Sequence, residues 1–394
     1  MLTEKQIEDI IYPYVKRQSE FNLSVITIIA DRLSRIASFD SIDTMDRWSI
    51  MQTDIQNIQY EYDKYKEEQR KRIHDDFWWI AFYLYGEAAY FYEQQMRLEA
   101  NRELTNLINQ SIAQAQTNFE TLVKNPVIVM RDLANPSLLR PYNLEQSYRT
   151  VINEALNYRN LSDELSDIAL KRTETQLFDS GVRYARNDTT LSVNDTISAN
   201  NAVRMNVLES TKNLINEMQD IMGNQFGADG VELSAHIYPA PDHAPAQGHQ
   251  FTLENMDRMQ NAESFEDVDG NHYEGFVRKI GEWNCRHYFM KIKLGENPTY
   301  TQKQLDKILE DNERGYTTPD GRHYTLYECT QIQRRYERNI RNAKEKYLFS
   351  QAIRDKNGMS SSKMRVNALM TQYRQFSNAC GIPINKGRIF VKDY

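Results

Sequence analysis

Residues 231–251 read Val-Glu-Leu-Ser-Ala-His-Ile-Tyr-Pro-Ala-Pro-Asp-His-Ala-Pro-Ala-Gln-Gly-His-Gln-Phe, and residues 281–289 read Gly-Glu-Trp-Asn-Cys-Arg-His-Tyr-Phe. Here the chain changes character. Three of its ten prolines (Pro239, Pro241, Pro245) and five of its seven histidines (His236, His243, His249, His272, His287) fall between residues 231 and 290. Proline fixes φ and biases the residue before it towards extended backbone, so this stretch cannot continue a helix. Val231 to Ser234 alternates and suits a strand, as does Arg286 to Leu294, while residues 252–280 read as loop with a turn at Asp269-Gly270. A short-stranded, polar core set between long helical segments predicts an α+β fold, predominantly α.

Working outward, the N-terminal side repeats apolar residues at helical spacing: Ile7, Ile10, Ile11, Tyr14; Ile26, Ile29, Leu33, Ile36; Met51, Ile55, Ile58, Tyr62, Tyr65. Asp40 or Ser41 is the expected N-cap of the segment starting at Ile42. Phe77 to Tyr85 is apolar all round, so it is expected inside a bundle or an interface. Phe77, Trp78, Trp79, Phe82 and Tyr83 are its candidate docking aromatics, with Tyr90, Phe91 and Tyr92 extending the area. Asn125-Pro126, Pro136 and Pro141 mark a loop-rich joint. Helix is expected again over Leu144–Val182 and Ala202–Met222, with loop at 187–201 and Gly223 and Gly227 as the stop.

On the C-terminal side, Thr301–Asn312 predicts a helix, and Thr318-Pro319-Asp320-Gly321 a turn between short extended pieces. Leu326 to Asp355 and Lys363 to Asn378 predict two helices, with a loop and short strand from Gly381 onward. The organisation expected is a helical arm (1–143), a helical connector (144–230), a small mixed core (231–325) and a basic helical tail (326–394).

Composition narrows the function. Net charge is −7, yet residues 301–394 hold 18 Lys and Arg against 10 Asp and Glu, leaving −15 on the preceding residues. An acidic body speaks against general nucleic-acid binding, while the basic tail suits an acidic partner or DNA phosphates. Arg334, Arg335, Arg338, Arg341 and Lys344 recur at spacings of three and four, with Glu337 and Glu345 as local partners. Three distant cysteines indicate a reducing compartment. No secretory leader and no membrane span are expected, the longest apolar run being about half a bilayer crossing.

Chemistry concentrates in the quoted stretch. His236, His243, His249, Cys285 and His287 are capable zinc ligands, and Asp242 adds an oxygen. Their spacings match no established zinc pattern, so no cofactor is expected, a structural zinc being the lesser reading. Hydrogen bonding among the histidines and to backbone is expected instead. Cys285 beside a histidine could form a thiolate pair, and His243 or His287 with Arg286 or Arg204 could serve phosphoryl chemistry. Nucleotide-cradling glycine loops are absent from the sequence.

Four pieces in order resemble the phage minor capsid proteins of the minor capsid protein 2 type, relatives of the Mu-type head morphogenesis proteins. They are Arg204-Met205-Asn206-Val207 with Thr211; Glu232 to His236 followed by Pro241-Asp242-His243-Ala244 and Gln247-Gly248; Asn284-Cys285-Arg286-His287; and Tyr327 to Gln331 with Arg335, Glu337-Arg338 and Ile340-Arg341. The matched region is roughly 170–394. Tyr238-Pro239-Ala240 and Ala246 depart from the family pattern. The resemblance implies a non-enzymatic virion component, present in multiple copies inside the capsid or at the portal vertex and in host cytoplasm during assembly. Its implied partners are portal or major capsid protein and packaged DNA, with no membrane, and its role is head assembly or DNA delivery. The alternative is an enzyme-like core acting on nucleic acid or a nucleotide through the His/Arg cluster.

Overall fold

The computed structural model describes residues 2–38, 44–91, 102–131, 138–159, 182–185, 194, 196–282, 285–391 and 394. The cap expected at Asp40 or Ser41 lies outside them, as do Tyr92 and Asn284. The architecture is α+β and predominantly α, with short antiparallel strands.

Helices α1 (Glu4–Ser38), α2 (Thr44–Phe91), α3 (Arg102–Val123), α4 (Leu144–Arg159) and α5 (Ala199–Phe226) build the main core. The apolar repeats do this work: Ile11, Tyr14, Phe21, Val25, Ile29 and Leu33 line one face of α1 and are all buried. Each large apolar side chain so buried contributes about 1.5–3 kcal/mol. A polar tie crosses this core, where Arg32 of α1 grips Asp54 of α2 through Nε at 2.6 Å and Nη2 at 3.0 Å. Tyr148 of α4 donates its hydroxyl to the same carboxylate. The first helix is no free arm in this arrangement: its buried residues share one cluster with Tyr288, Met290 and Phe349.

The joint at 125–143 holds strands rather than loop. β1 (Pro126–Arg131) pairs antiparallel with β2 (Leu139–Asn143) and with β3 (Val182–Ala185), which pairs with β4 (Thr196–Ser198). The β-branched run Val127-Ile128-Val129 drives this, and the prolines permit it, because Pro126 opens its strand and Pro141 sits on the edge strand of the sheet. Val182, the expected end of the second helical stretch, instead opens strand β3. Helix α5 also runs past Gly223, and Gly227, with φ +72°, ends it.

The small core follows the expected strands more closely. β5 (Gly230–Leu233) lies between β6 (Gln250–Thr252) and β9 (Phe289–Ile292), antiparallel to both. Between β6 and β9 come α6 (Leu253–Gln260), where loop was expected, and the hairpin β7 (Phe265–Glu266) and β8 (His272–Tyr273) around Gly270. Thr252 explains the missed helix: its side chain accepts from Asn255 N at 3.2 Å, a working N-cap. Val231, Phe251, Phe265, Phe276 and Phe289 form the local apolar cluster.

α7 (Gln302–Arg314), the hairpin β10 (Tyr316–Thr317) and β11 (His323–Tyr324), α8 (Leu326–Ala352) and α9 (Lys356–Cys380) complete the chain. Thr325 and Glu328 form a capping box that starts α8. Beyond Gly381 the described residues hold a short 3-10 turn (Gly387–Ile389) where a strand was expected. No described helix is long and apolar enough to cross a membrane.

Candidate functional site

The β5–β9 pairing brings the two quoted stretches together. Just past the ladder, Ser234 N donates to Tyr288 O at 3.1 Å and Tyr288 N returns a bond to Ser234 Oγ at 3.1 Å. His236 therefore leaves β5 opposite Cys285 and His287, which approach β9. His243 arrives from the turn that follows Pro241.

Three of the window's histidines converge with the thiol. Cys285 Sγ lies 3.3 Å from His243 Nδ1 and 3.5 Å from His287 Nδ1. On the far side of each ring, His243 Nε2 donates to the carbonyl of Arg278 at 2.7 Å, and His287 Nε2 reaches Gln247 Oε1 at 3.3 Å. Gln247 Oε1 also accepts from His236 N at 2.9 Å, which fixes the amide's orientation. The His236 ring stands edge-on to His287, centroids 4.6 Å apart. Cys285, His236, His243, Gln247 and His287 are all buried. Among the described residues, His243, Cys285 and His287 form the group whose donor atoms could share a metal ion, all within 4.8 Å of one another.

Electrostatics follow from this burial. Desolvation lowers His236 to about 4, with Lys212 adding repulsion, and pushes His287 well below the usual imidazole value. Burial alone would raise the Cys285 thiol, but His243's hydrogen bond and Lys212's charge outweigh it and bring it down to about 7. Lys212 itself is fully buried on α5, its Nζ without a hydrogen-bond partner, and desolvation holds it at about 8. Sequence reading missed it. The available signal was its place on the buried stripe, four residues after Leu208 and three before Ile215.

The other two histidines of the window go elsewhere. His249 Nδ1 bonds Asp267 Oδ2 at 2.8 Å, in a network with Asn271 and Tyr273, and His272 is exposed on β8. Asp242 grips Arg278 through both carboxylate oxygens, at 2.9 and 2.8 Å. Gly248 holds φ +75°, and a Cβ there would stand 2.3 Å from Leu305 Cδ2. The Gln247-Gly248 pair thus combines an amide that positions two histidines with a turn only glycine makes without strain.

A second polar centre surrounds Glu8 of α1. Its carboxylate meets Arg204 of α5, Arg388 at 2.9 Å and Arg286 at 3.5 Å. Burial would raise this carboxyl, yet Arg204 and Arg388 hold it at about 2. A cavity of about 80 Å³ adjoins the hub, lined in part by Arg334, Arg338 and Arg341. The basic face of α8 therefore turns largely inward: Arg341 donates to the Arg388 carbonyl and Lys344 Nζ to the Ile389 carbonyl at 2.9 Å. Of the five basic residues read from the sequence, Arg335 is the exposed one.

The aromatic stretch divides. Phe77, Ile80, Ala81 and Leu84 of α2 are buried, whereas Trp79 and Phe82 are each 48% exposed. Trp79 stacks on Tyr83, centroids 5.6 Å apart, and Trp78 leans on Phe82 at 5.8 Å.

Fold and site together define a mainly helical α+β protein whose motif residues serve two interior polar centres. The chain belongs to the phage minor capsid protein 2 family, whose sequence model matches residues 2–378. It is a structural component of the phage particle. The match extends the expected region of 170–394 on its N-terminal side, taking in the N-terminal helices, and ends at residue 378. No curated protein and no solved structure matches the chain.

Proposed function

We propose that this minor capsid protein docks on the portal or the inner face of the major capsid shell and assists head assembly or DNA delivery. The observation that carries this reading is the division of the aromatic stretch in α2. One face anchors the helix in the core, and the other offers Trp79 and Phe82 to a neighbour, with the partly buried Tyr83 stacked beneath Trp79. Half-exposed aromatic pairs are what protein interfaces use as anchors. The tail's charge adds a contact with packaged DNA or an acidic neighbour, with Arg335 as its outward member among the five. Multiple copies in the particle, and passage through host cytoplasm during assembly, belong to the same reading.

The test is incorporation. Particles assembled with Trp79→Ala/Phe82→Ala are expected to lack the protein, by mass spectrometry of purified virions, while the variant accumulates folded in the cell. Normal incorporation of the double variant would sink this docking face. Density for α2 against portal or shell in cryo-electron microscopy of intact heads identifies the partner.

A further inference from the structure

The buried histidine and cysteine cluster has a hydrogen-bonding problem that a metal ion solves. A carbonyl oxygen only accepts, so His243 Nε2 carries its proton towards Arg278 O, and His287 Nε2 carries its own towards Gln247 Oε1. Both Nδ1 atoms are therefore bare lone pairs, and both face Cys285 Sγ. A thiol has one hydrogen and can satisfy one of them. Gln247 cannot flip to relieve the other, because His236 N holds its oxygen in place. A buried, unsatisfied ring nitrogen costs about 1–3 kcal/mol.

We propose that His243 Nδ1, Cys285 Sγ and His287 Nδ1 bind a zinc ion. Ligand distances support it. With Zn–N of about 2.0–2.1 Å and Zn–S of about 2.3 Å, tetrahedral geometry sets neighbouring nitrogen and sulfur about 3.5 Å apart. The two separations here are 3.3 and 3.5 Å. One thiolate with two imidazoles suits zinc over the oxygen-seeking magnesium and calcium. The outer partners have the form zinc-bound histidines require: each ring's second nitrogen donates to an oxygen that fixes its tautomer and direction. Asp242, closing on Arg278, holds the segment whose carbonyl orients His243. Lys212, buried and without a hydrogen-bond partner, favours the thiolate by its charge. Cys285 and His287 also line a cavity of about 120 Å³, with His236 and Arg278 among its other walls, room enough for a water molecule beside the cluster. The spacing of these residues hides the site in the sequence, since the ligands meet only through the β5–β9 pairing.

The test uses the full chain, stripped with chelator and titrated with zinc, and separately with cobalt(II) as a spectroscopic stand-in. One equivalent of zinc per chain is expected to survive gel filtration. Cobalt is expected to give a thiolate-to-metal charge-transfer band and the visible intensity of tetrahedral coordination. Cys285→Ser should abolish the band and weaken zinc at least about a hundredfold, Gln247→Ala should weaken it about tenfold or more, and His272→Ala should change neither. If Cys285→Ser does not fold, the cobalt spectrum of Cys329→Ser/Cys380→Ser decides: Cys285 is then the one remaining thiol, so the band must persist, and its loss overturns the proposal. A folded wild-type chain that binds no stoichiometric zinc, or gives cobalt no charge-transfer band, overturns the proposal. So does zinc binding unchanged in Cys285→Ser.

Discussion

Glu8 and Arg204 lie 196 residues apart and meet side by side, with Arg204 Nη1 donating to Glu8 Oε2 at 2.9 Å and Nη2 bonding the other oxygen. Arg286 and Arg388 close on the same carboxylate, so a single negative charge holds three cations from three parts of the chain.

Glu8→Gln is therefore expected to destabilise by on the order of 2–3 kcal/mol at pH 7, since it removes a shared counter-charge from three partly buried guanidinium groups, of which Arg388 keeps Glu337 at 3.6 Å. Glu8 falls from an ordinary 4.5 to about 2 in the folded state. Its contribution is present above pH 4.5 and is lost as pH falls towards 2. Urea unfolding of wild type and variant across that window should show the two curves converging at the acid end.

Glu345 has the opposite sign. Burial raises it from 4.5 to about 7, against the pull of Arg341. The folded state binds a proton here that the unfolded state has released, so this group's effect on stability worsens as pH rises from 4.5 through 7. Glu345→Gln should match wild type near pH 4.5 and exceed it by roughly 2 kcal/mol at pH 8, measured by chemical denaturation. Equal stability at pH 8 would show that the carboxylate finds compensation.

Lys212→Met should give a folded protein at least as stable as wild type near pH 7. The folded pKa of about 8 lies below the ordinary 10.5, so the buried ammonium destabilises at neutral pH. Stability of the wild type should rise between pH 8 and 10.5 as the unfolded chain alone retains the proton, and the methionine variant should lose that rise. Thermal melts across the range read this directly.

Leu84→Ala should cost about 2–5 kcal/mol, because the side chain is 1% exposed in the main core. Trp79→Ala, at 48% exposure, should cost about 1 kcal/mol or less in the free protein. Comparable losses at both positions would mean that the outer face of α2 is structural in the isolated chain.

Gly248→Ala should cost roughly 1–3 kcal/mol through its positive φ alone. Because Gln247 precedes it, the same substitution should also lower zinc affinity more than a Gly270→Ala control on the β7–β8 turn.

Helices and their buried faces were legible because periodicity reports burial, as at Ile26, Ile29 and Leu33. Strands β5 and β9 were legible by alternation. β1 was not, because Pro126 reads as a helix stop whether a loop or an edge-compatible strand follows. The candidate cluster was visible as a density of histidines, but not which of them converge: His249 and His287 look alike in sequence, and only the ladder register separates them. The basic stripe of α8 misled for the same reason, since spacing shows that Arg334, Arg338 and Arg341 share a side of the helix but not that this side meets Glu8. A lysine such as Lys212, placed on an apolar stripe, reads as a surface residue until the partners of that stripe are known.

The clasp between Glu8 and Arg388 also sets a clock. At synthesis rates of roughly 5–20 residues per second, the last residue of α1 is made about 18–70 seconds before residue 388. Until then its acidic face lacks one of its closing cations. A nascent chain thus cannot complete the junction that ties its first helix to its last turns until synthesis has all but ended.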